Sequence, residues 1–101
     1  MALRVRRYPK RILRRRNMYY VYILQSLKDK SFYMGYYSDL KKRIKEHFSG
    51  QVTSTKKKIP FRLIYYEAYL EKKDALGREK FLKSGAGWRF IKKQIKYFLE
   101  G

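Results

Sequence analysis

The segment 19–48 places the strongest constraint on what this chain can fold into. It contains two runs of aromatic and apolar residues, YYVYIL and FYMGYY, which are separated by a polar stretch. Runs of this composition, bounded by turn-forming residues, predict two β-strands joined in a hairpin. Leu40, Ile44 and Phe48 then recur at four-residue steps, so the next element is predicted to be a helix with one apolar face.

Polar residues occupy informative positions at the start of this helix and along one of its sides. Ser38 is expected to be its N-cap, and Asp39 adds a negative charge in its first turn. Arg43 and His47 are four residues apart, so they are expected to lie one turn apart on a stripe beside the apolar face.

The remainder of the chain predicts one more strand and two more helices. Residues 61–70 are apolar on both faces through their middle, which predicts a central strand covered by helices. Residues 73–82 predict a second helix, the run 84–87 is expected to break it, and residues 88–98 predict a last helix. The order β-β-α-β-α-α predicts an α/β (α+β) domain, in which helices flank a three-stranded antiparallel sheet.

The second predicted helix contains two unusual residues. Gly77 lies inside it, where glycine costs about 1 kcal/mol relative to alanine, so we expect another backbone to approach closely there. Glu79 falls on the inward face with Ala75, Leu76 and Leu82. A carboxylate among apolar residues is costly unless a charged group meets it there.

Length and composition limit the classes of function. A chain of 101 residues predicts one domain with a modest core. It has no cysteine, which excludes disulfides and zinc–thiolate sites and suits a reducing compartment such as the cytoplasm. No apolar run approaches the ~20 residues that span a bilayer. The net charge of +19 and the aromatic content of 18% favour nucleic acid as the partner over a membrane surface.

The charge is concentrated at the N-terminus. Residues 1–17 contain seven Arg, one Lys and no acidic residue. Such a basic extension is expected to be disordered until it meets phosphate. An organelle presequence, or an upstream extension of a chain whose natural start is Met18, explains the same composition. The folded domain is therefore predicted to span residues 18–101.

Five residues are candidates for chemistry: Tyr22, Tyr33, Arg43, His47 and Glu79. Each has an ordinary structural explanation when it is taken alone. Strand tyrosines pack, an arginine or a histidine on a helix is commonly solvated, and a glutamate in a basic chain pairs with a lysine. Their occurrence together, in two strands and two helices, is the reason to consider a catalytic site.

The motifs around these residues resemble those of the GIY-YIG nuclease superfamily. The first motif corresponds to 20–22 (Tyr-Val-Tyr) and the second to 33–35 (Tyr-Met-Gly), while Arg43 matches the arginine of the family's first helix and Glu79 its metal-binding glutamate. The resemblance covers residues 19–98. Within the family, the sequence is similar to the small stand-alone bacterial branch. Members of this branch are described as endonucleases related to the N-terminal domain of the excision-repair incision nuclease.

The sequence departs from the family pattern at four places. Tyr20 replaces the glycine of the first motif, and Met34 replaces the isoleucine of the second. Both are positions of packing rather than chemistry, so these two departures do not exclude activity. Tyr36 stands where some members carry a lysine, and no residue within 84–93 clearly matches a late asparagine, which puts its phosphate contact in doubt.

The resemblance implies a metal-dependent hydrolysis of phosphodiester bonds. In this reaction Glu79 would hold a single Mg²⁺ (or Mn²⁺), and the guanidinium of Arg43 would donate two hydrogen bonds to the phosphate. Tyr22 would act as general base with His47 as its proton relay, because a phenol with a pKa near ~10 is a poor base unless a neighbour assists it. Tyr33 would position the water or contact the phosphate.

Seven further residues are predicted to contact nucleic acid. They lie near the second motif, on the first and second helices and in the loop 49–60, for which a simply solvated loop is an equal alternative. The residues are Gly35, Tyr36, Lys42, Lys56, Lys57, Lys58 and Arg78.

Three functions are compatible with the sequence. The leading one is a Mg²⁺-dependent DNA endonuclease of the repair or processing type, structure-selective or weakly specific because no sequence-reading module is present. The second is a nucleic-acid-binding module of the same fold without turnover. The third is a small ribosome-associated basic protein, for which charge is the sole argument.

Overall fold

Three antiparallel strands form the centre of the fold. The computed structural model describes residues 18–101, so the predictions made for residues 1–17 lie outside the described residues. The strands are β1 (Tyr19–Ser26), β2 (Phe32–Tyr37) and β3 (Phe61–Tyr69), and their order in the sheet is β2-β1-β3. The predicted hairpin is confirmed, since β1 pairs with β2 across a short turn.

Helices cover the sheet from both sides. They are α1 (Leu40–Phe48), α2 (Lys72–Leu82), α3 (Gly85–Gln94) and the short α4 (Lys96–Glu100), and the loop 49–60 contains a 3-10 turn at Lys56–Lys58. The predicted α+β class and element order are confirmed. The last predicted helix is divided, because Ile95 has non-helical backbone angles between α3 and α4. None of the helices described between residues 18 and 101 has the length and apolar character needed to cross a membrane.

Alternation along β1 sends its side chains to two separate clusters. Val21 and Ile23 pack with Ala75, Leu82 and Ile91 beneath α2 and α3. On the other face, Tyr22 and Leu24 pack with Phe61 and with the apolar side of α1 (Leu40, Ile44). Two helical layers therefore enclose one strand, and its residues 21–24 have no exposed surface.

The prediction that the third strand is central is wrong. β1 occupies the centre, and β3 lies at an edge of the sheet. Leu63 and Tyr66 of β3 are exposed by 36% and 53%, although their residue types suit a covered strand. The apolar run was misleading because α1 leaves part of β3 open.

Two further local predictions are corrected. Asp39, rather than Ser38, is the N-cap of α1: its backbone is non-helical, and its carboxylate accepts the Lys42 N–H at 3.1 Å. The break predicted at 84–87 is present but shorter: α2 ends at Leu82, and α3 already begins at Gly85 with Ser84 as its N-cap. The Ser84 hydroxyl accepts the Gly87 N–H at 3.1 Å.

Close backbone approach occurs at Gly87 and not at Gly77. No atom outside the local helix lies within 4 Å of the position that a Cβ would take at Gly77, so that prediction is wrong. At Gly87 the same atom would lie 1.8 Å from the Phe81 carbonyl oxygen, so only glycine lets α3 start against the end of α2. Leu76, predicted to face inward, is 40% exposed.

Candidate active site

Tyr22 lies on β1 under α1 and is fully buried. Tyr22 is paired in the sheet with Gly35 of β2, and its ring lies across β2 at this glycine. A Cβ at Gly35 would lie 2.5 Å from the Tyr22 hydroxyl oxygen, closer than any real contact allows. The glycine of the second motif is therefore required because it leaves room for the tyrosine of the first.

His47 of α1 connects Tyr22 to the loop that follows the helix. Its Nε2 is 2.9 Å from the Tyr22 hydroxyl, and its Nδ1 is 2.8 Å from Thr55 Oγ1. The Thr55 hydroxyl donates to the Val52 carbonyl oxygen at 3.4 Å, which leaves its oxygen as an acceptor for Nδ1–H. We infer from this network that Nε2 is unprotonated and accepts the hydroxyl proton of Tyr22.

Burial sets the protonation states of this pair. It raises the pKa of Tyr22 to about 12, despite the opposing effect of the nearby Arg43 guanidinium. Burial, together with the positive charge of Arg43, lowers the pKa of His47 to about 4. At neutral pH the tyrosine is therefore a phenol and the histidine is a neutral acceptor.

Arg43 projects from α1 beside Tyr22. Its guanidinium lies over the ring of Tyr37, 4.7 Å from the centroid, and its Nη1 donates to Glu46 Oε1 at 3.0 Å. Its Nε is buried and has no hydrogen-bond partner. A buried donor without a partner is costly, so this nitrogen marks a place where an acceptor is needed.

Tyr33 and Glu79 complete the predicted set. The Tyr33 ring lies 4.9 Å from His47 and 6.3 Å from Tyr22 between centroids, so it forms one wall of the site. The Glu79 carboxylate accepts from Lys83 Nζ at 3.1 Å, with its side chain 21% exposed. Burial is the main cause of the raised pKa of Tyr22, and the negative charge of Glu79 is close enough to raise this pKa slightly further.

The predicted nucleic-acid contacts divide into two groups. Lys42, Lys56 and Lys57 are exposed and stand near α1 or its following loop. The others have internal contacts. Lys58 pairs with Asp29 at 3.4 Å, and Arg78 makes a bidentate pair with Glu67. Tyr36 stacks on Tyr19 on the opposite face of the sheet, while Gly35 is buried beside Tyr22.

Sequence reasoning missed two residues of this site. Thr55 is only 2% exposed although it lies in a loop rich in Ser, Thr and Lys. Glu46 precedes His47 and holds Arg43 in place. The spacing of Arg43 and Glu46 on one helix was available in the sequence, but nothing in it identified which hydroxyl of the loop would be buried.

The residues present fit a metal ion that brings most of its own ligands. Within residues 18–101 no group of three or more His, Cys, Asp or Glu residues converges. His47 uses both ring nitrogens inside the protein. Glu79 offers a partly exposed carboxylate, and Mg²⁺ is bound in proteins by one or two carboxylates that are completed by waters and substrate phosphate.

Comparisons with known proteins agree with the motifs. A family model described as the GIY-YIG catalytic domain matches residues 18–87, a range that contains all five candidates. A UPF0213 protein of Clostridium perfringens is 42% identical over 67 residues, 65% of this chain and 71% of that protein.

A second relative and one solved structure carry the same description. A UPF0213 protein of Pediococcus acidilactici is 36% identical over 84 residues, 80% of this chain and 81% of that protein. The solution NMR structure of a UPF0213 protein of Bacillus halodurans has 36% sequence identity and a TM-score of 0.49, and the match covers 77% of this chain and 85% of that chain.

Proposed function

Because this chain belongs to the GIY-YIG family, we propose that it is an endonuclease that hydrolyses phosphodiester bonds in DNA, with Mg²⁺ as its metal ion and a role in DNA repair or processing. The observation that carries the proposal is the buried hydrogen bond between Tyr22 and the neutral His47, next to an arginine with an unpartnered nitrogen. This arrangement provides a proton path beside a place for an anion.

Tyr22 is assigned as the general base, and His47 as the group that takes its proton. In the free protein burial raises the pKa of Tyr22 and lowers the pKa of His47, so this transfer is strongly unfavourable. Tyr22 therefore stays protonated until the charge distribution of the site changes. Binding of substrate would place the negative charge of a phosphate against Arg43, which would offset the positive charge that, together with burial, holds the pKa of His47 low.

Arg43 is assigned to the scissile phosphate. Its Nε donor is buried beside the site, and its Nη1 is fixed by Glu46, so the guanidinium keeps one orientation. A planar fork of donors matches two phosphate oxygens, which a lysine at this position would not do. The arginine would thus offset the charge that develops on the phosphate during hydrolysis.

Glu79 is assigned as the protein ligand of the metal. A bound Mg²⁺ would polarise the phosphate and stabilise the leaving oxygen. Lys83, the present partner of Glu79, is 55% exposed in its side chain. Exposed ion pairs contribute little to stability, so Lys83 releases the carboxylate at small cost.

Cleavage of labelled duplex, single-stranded and branched DNA with Mg²⁺ or Mn²⁺ tests the proposal. We expect the wild-type protein to cut at least one substrate, and Glu79→Gln to bind that substrate equally well without cutting it. Glu71→Gln is the matched control, since Glu71 is exposed and its side chain does not cap α2. Cutting by Glu79→Gln at the wild-type rate would disprove the assignment.

A nucleic-acid-binding module without turnover is the second candidate. It is favoured by the engagement of both carboxylates of the site in ion pairs, Glu46 with Arg43 and Glu79 with Lys83. This candidate predicts salt-dependent binding of nucleic acid with no product under any divalent metal. The same cleavage assay separates it from the first, because only the endonuclease gives a product that depends on Glu79.

A further inference from the structure

An open groove lies between α1 and the edge strand β3, on the sheet face that also carries Tyr22. Its volume is about 1190 Å³, and its walls include Tyr20, Leu63, Tyr66 and Phe48. Tyr66 is 53% exposed and Phe48 45%, which is unusual for large apolar side chains that lie close together. None of the five candidate active-site residues lines it.

Helix α1 separates this groove from the active site. Successive residues of a helix turn by about 100°, so Lys41 and Lys45 lie on the opposite side of α1 from Arg43. Both lysines are exposed, and both line the groove. The two sites are therefore about one helix diameter, roughly 10 Å, apart.

We propose that the groove between α1 and β3 binds the unpaired bases of a single-stranded nucleic-acid segment that adjoins the duplex to be cut. This deepens the proposed function, on which it rests for the identity of the substrate. The rings of Tyr66, Tyr20 and Phe48 offer faces on which bases stack, and stacking accepts any base. Lys41 and Lys45 supply positive charge for the phosphates at the rim.

Charge favours this occupant over the alternatives. The groove's one acidic residue, Asp39, uses its carboxylate to accept the Lys42 N–H at the start of α1. A second copy of the chain would bring a net charge of +19 against the same lysines. Residues 1–17 of this chain, with eight basic residues and no acidic one, match the groove equally poorly.

Binding of a short oligothymidylate that carries one 2-aminopurine tests the proposal, with fluorescence quenching as the measure of stacking. The full chain is used in EDTA, so binding is measured without turnover. We expect Tyr66→Leu to raise the Kd about tenfold and Tyr66→Phe to leave it within about twofold, because the ring is what stacks. Tyr97→Leu is the matched control, since Tyr97 is 83% exposed on α4.

Two variants with the same change in charge provide a second, independent test. Both substitutions are at exposed helix positions, where they should not prevent folding. Lys45→Glu and Lys92→Glu change the net charge equally, but only Lys45 lines the groove. We expect Lys45→Glu to weaken binding of the oligonucleotide several-fold more than Lys92→Glu. Equal weakening by the two variants would overturn the proposal, and so would failure of the wild-type chain to bind the oligonucleotide.

Two outcomes distinguish this inference from the proposed function. If the chain binds the oligonucleotide through Tyr66 but cuts no DNA, the proposed function fails and the groove still binds single strands. If it cuts DNA while Tyr66→Leu and Lys45→Glu bind as their controls do, only the groove assignment fails. Sedimentation of a dimer that Tyr66→Glu dissociates would also overturn it, because the groove would then be an interface between copies.

Discussion

Two networks of tyrosine and charge lie on opposite faces of the same sheet, and they differ in completeness. Under α2, Glu67 of β3 accepts hydrogen bonds from the hydroxyls of Tyr65 and Tyr69 and pairs with Arg78 at 2.9 and 3.0 Å. Arg78 also lies 4.6 Å from the centroid of the Phe90 ring. Each charged group of this network has an opposite charge inside the protein.

The network under α1 is incomplete by comparison. Tyr22 meets a neutral histidine instead of a carboxylate, and Arg43 keeps one buried donor without a partner. Satisfied buried polar networks stabilise one conformation, whereas unsatisfied groups cost free energy. The first network is satisfied within the fold, while the second retains a buried donor that an acceptor such as a phosphate oxygen would satisfy.

Removing one tyrosine hydroxyl from each network should give the largest difference in cleavage rate between the two. Tyr22→Phe is expected to lower the cleavage rate about 100- to 10,000-fold, because it removes the general base. Tyr65→Phe is expected to leave the rate unchanged and to lower the free energy of unfolding by about 1 kcal/mol. Single-turnover cleavage and thermal unfolding measure the two effects. Full cleavage by Tyr22→Phe would show that the α1 network is also structural.

Glu67→Gln should have the largest effect on stability. It leaves Arg78, which is only 24% exposed, without its negative partner. We expect the free energy of unfolding to fall by about 3 kcal/mol, while the cleavage rate of the folded protein is unchanged. Urea unfolding measures this loss. Glu71→Gln, at an exposed site, should change stability by less than about 0.5 kcal/mol, and a similar loss for both variants would contradict our description of the Glu67 network.

The two networks should respond to pH in different ranges. His47 stays neutral in the folded protein down to about pH 4, whereas an unfolded histidine binds a proton near ~6.5. Its contribution to stability is therefore fully present above pH ~6.5 and falls as the pH drops, by about 2 kcal/mol at pH ~4.5. Burial opposes the charge on Glu67, but Arg78 and the two tyrosines outweigh burial and hold the pKa of this carboxyl below its ordinary value. The contribution of Glu67 to stability is therefore lost only at lower pH.

Urea unfolding of the wild-type protein and His47→Gln between pH 7 and pH 4.5 checks this expectation. The variant lacks the titrating group, so its stability should depend less on pH across this range. Parallel pH profiles would mean that the pKa of His47 is the same in the folded and unfolded states, which would contradict the lowering of this pKa by burial.

The hairpin, the amphipathic helix and the α+β class could be predicted because local pattern decides them. Strand alternation and four-residue helical spacing depend on residues that are close in sequence. The motifs at 20–22 and 33–35 likewise fixed which tyrosines to consider, and the structure explains Gly35 by the ring of Tyr22 above it. The position of β3 at the edge was not predictable from its composition, because exposed groove residues and core residues are of the same types.

Contacts between distant segments were the second part that the sequence did not reveal. The pairing of Glu67 with Arg78 depends on how α2 crosses β3. Thr55 is buried because its loop folds back against His47 of α1. The Ser, Thr and Lys residues of this loop predict only that it is exposed. Long-range packing decides both, and no local pattern encodes it.

Thr55→Val should have the smallest effect of the series, and it tests the inferred tautomer of His47. Valine has nearly the same shape but cannot accept the Nδ1–H, so the imidazole would exchange tautomers and present a donor to Tyr22 for part of the time. We expect about a tenfold lower cleavage rate, comparable to the loss of other outer-shell partners, and recovery in Thr55→Ser. Imidazole ¹⁵N shifts should show Nδ1–H in the wild type and a mixture in the valine variant. A slower enzyme with unchanged ¹⁵N shifts would mean that Thr55 acts through packing, and the comparison of the two networks would then rest on Arg43 alone.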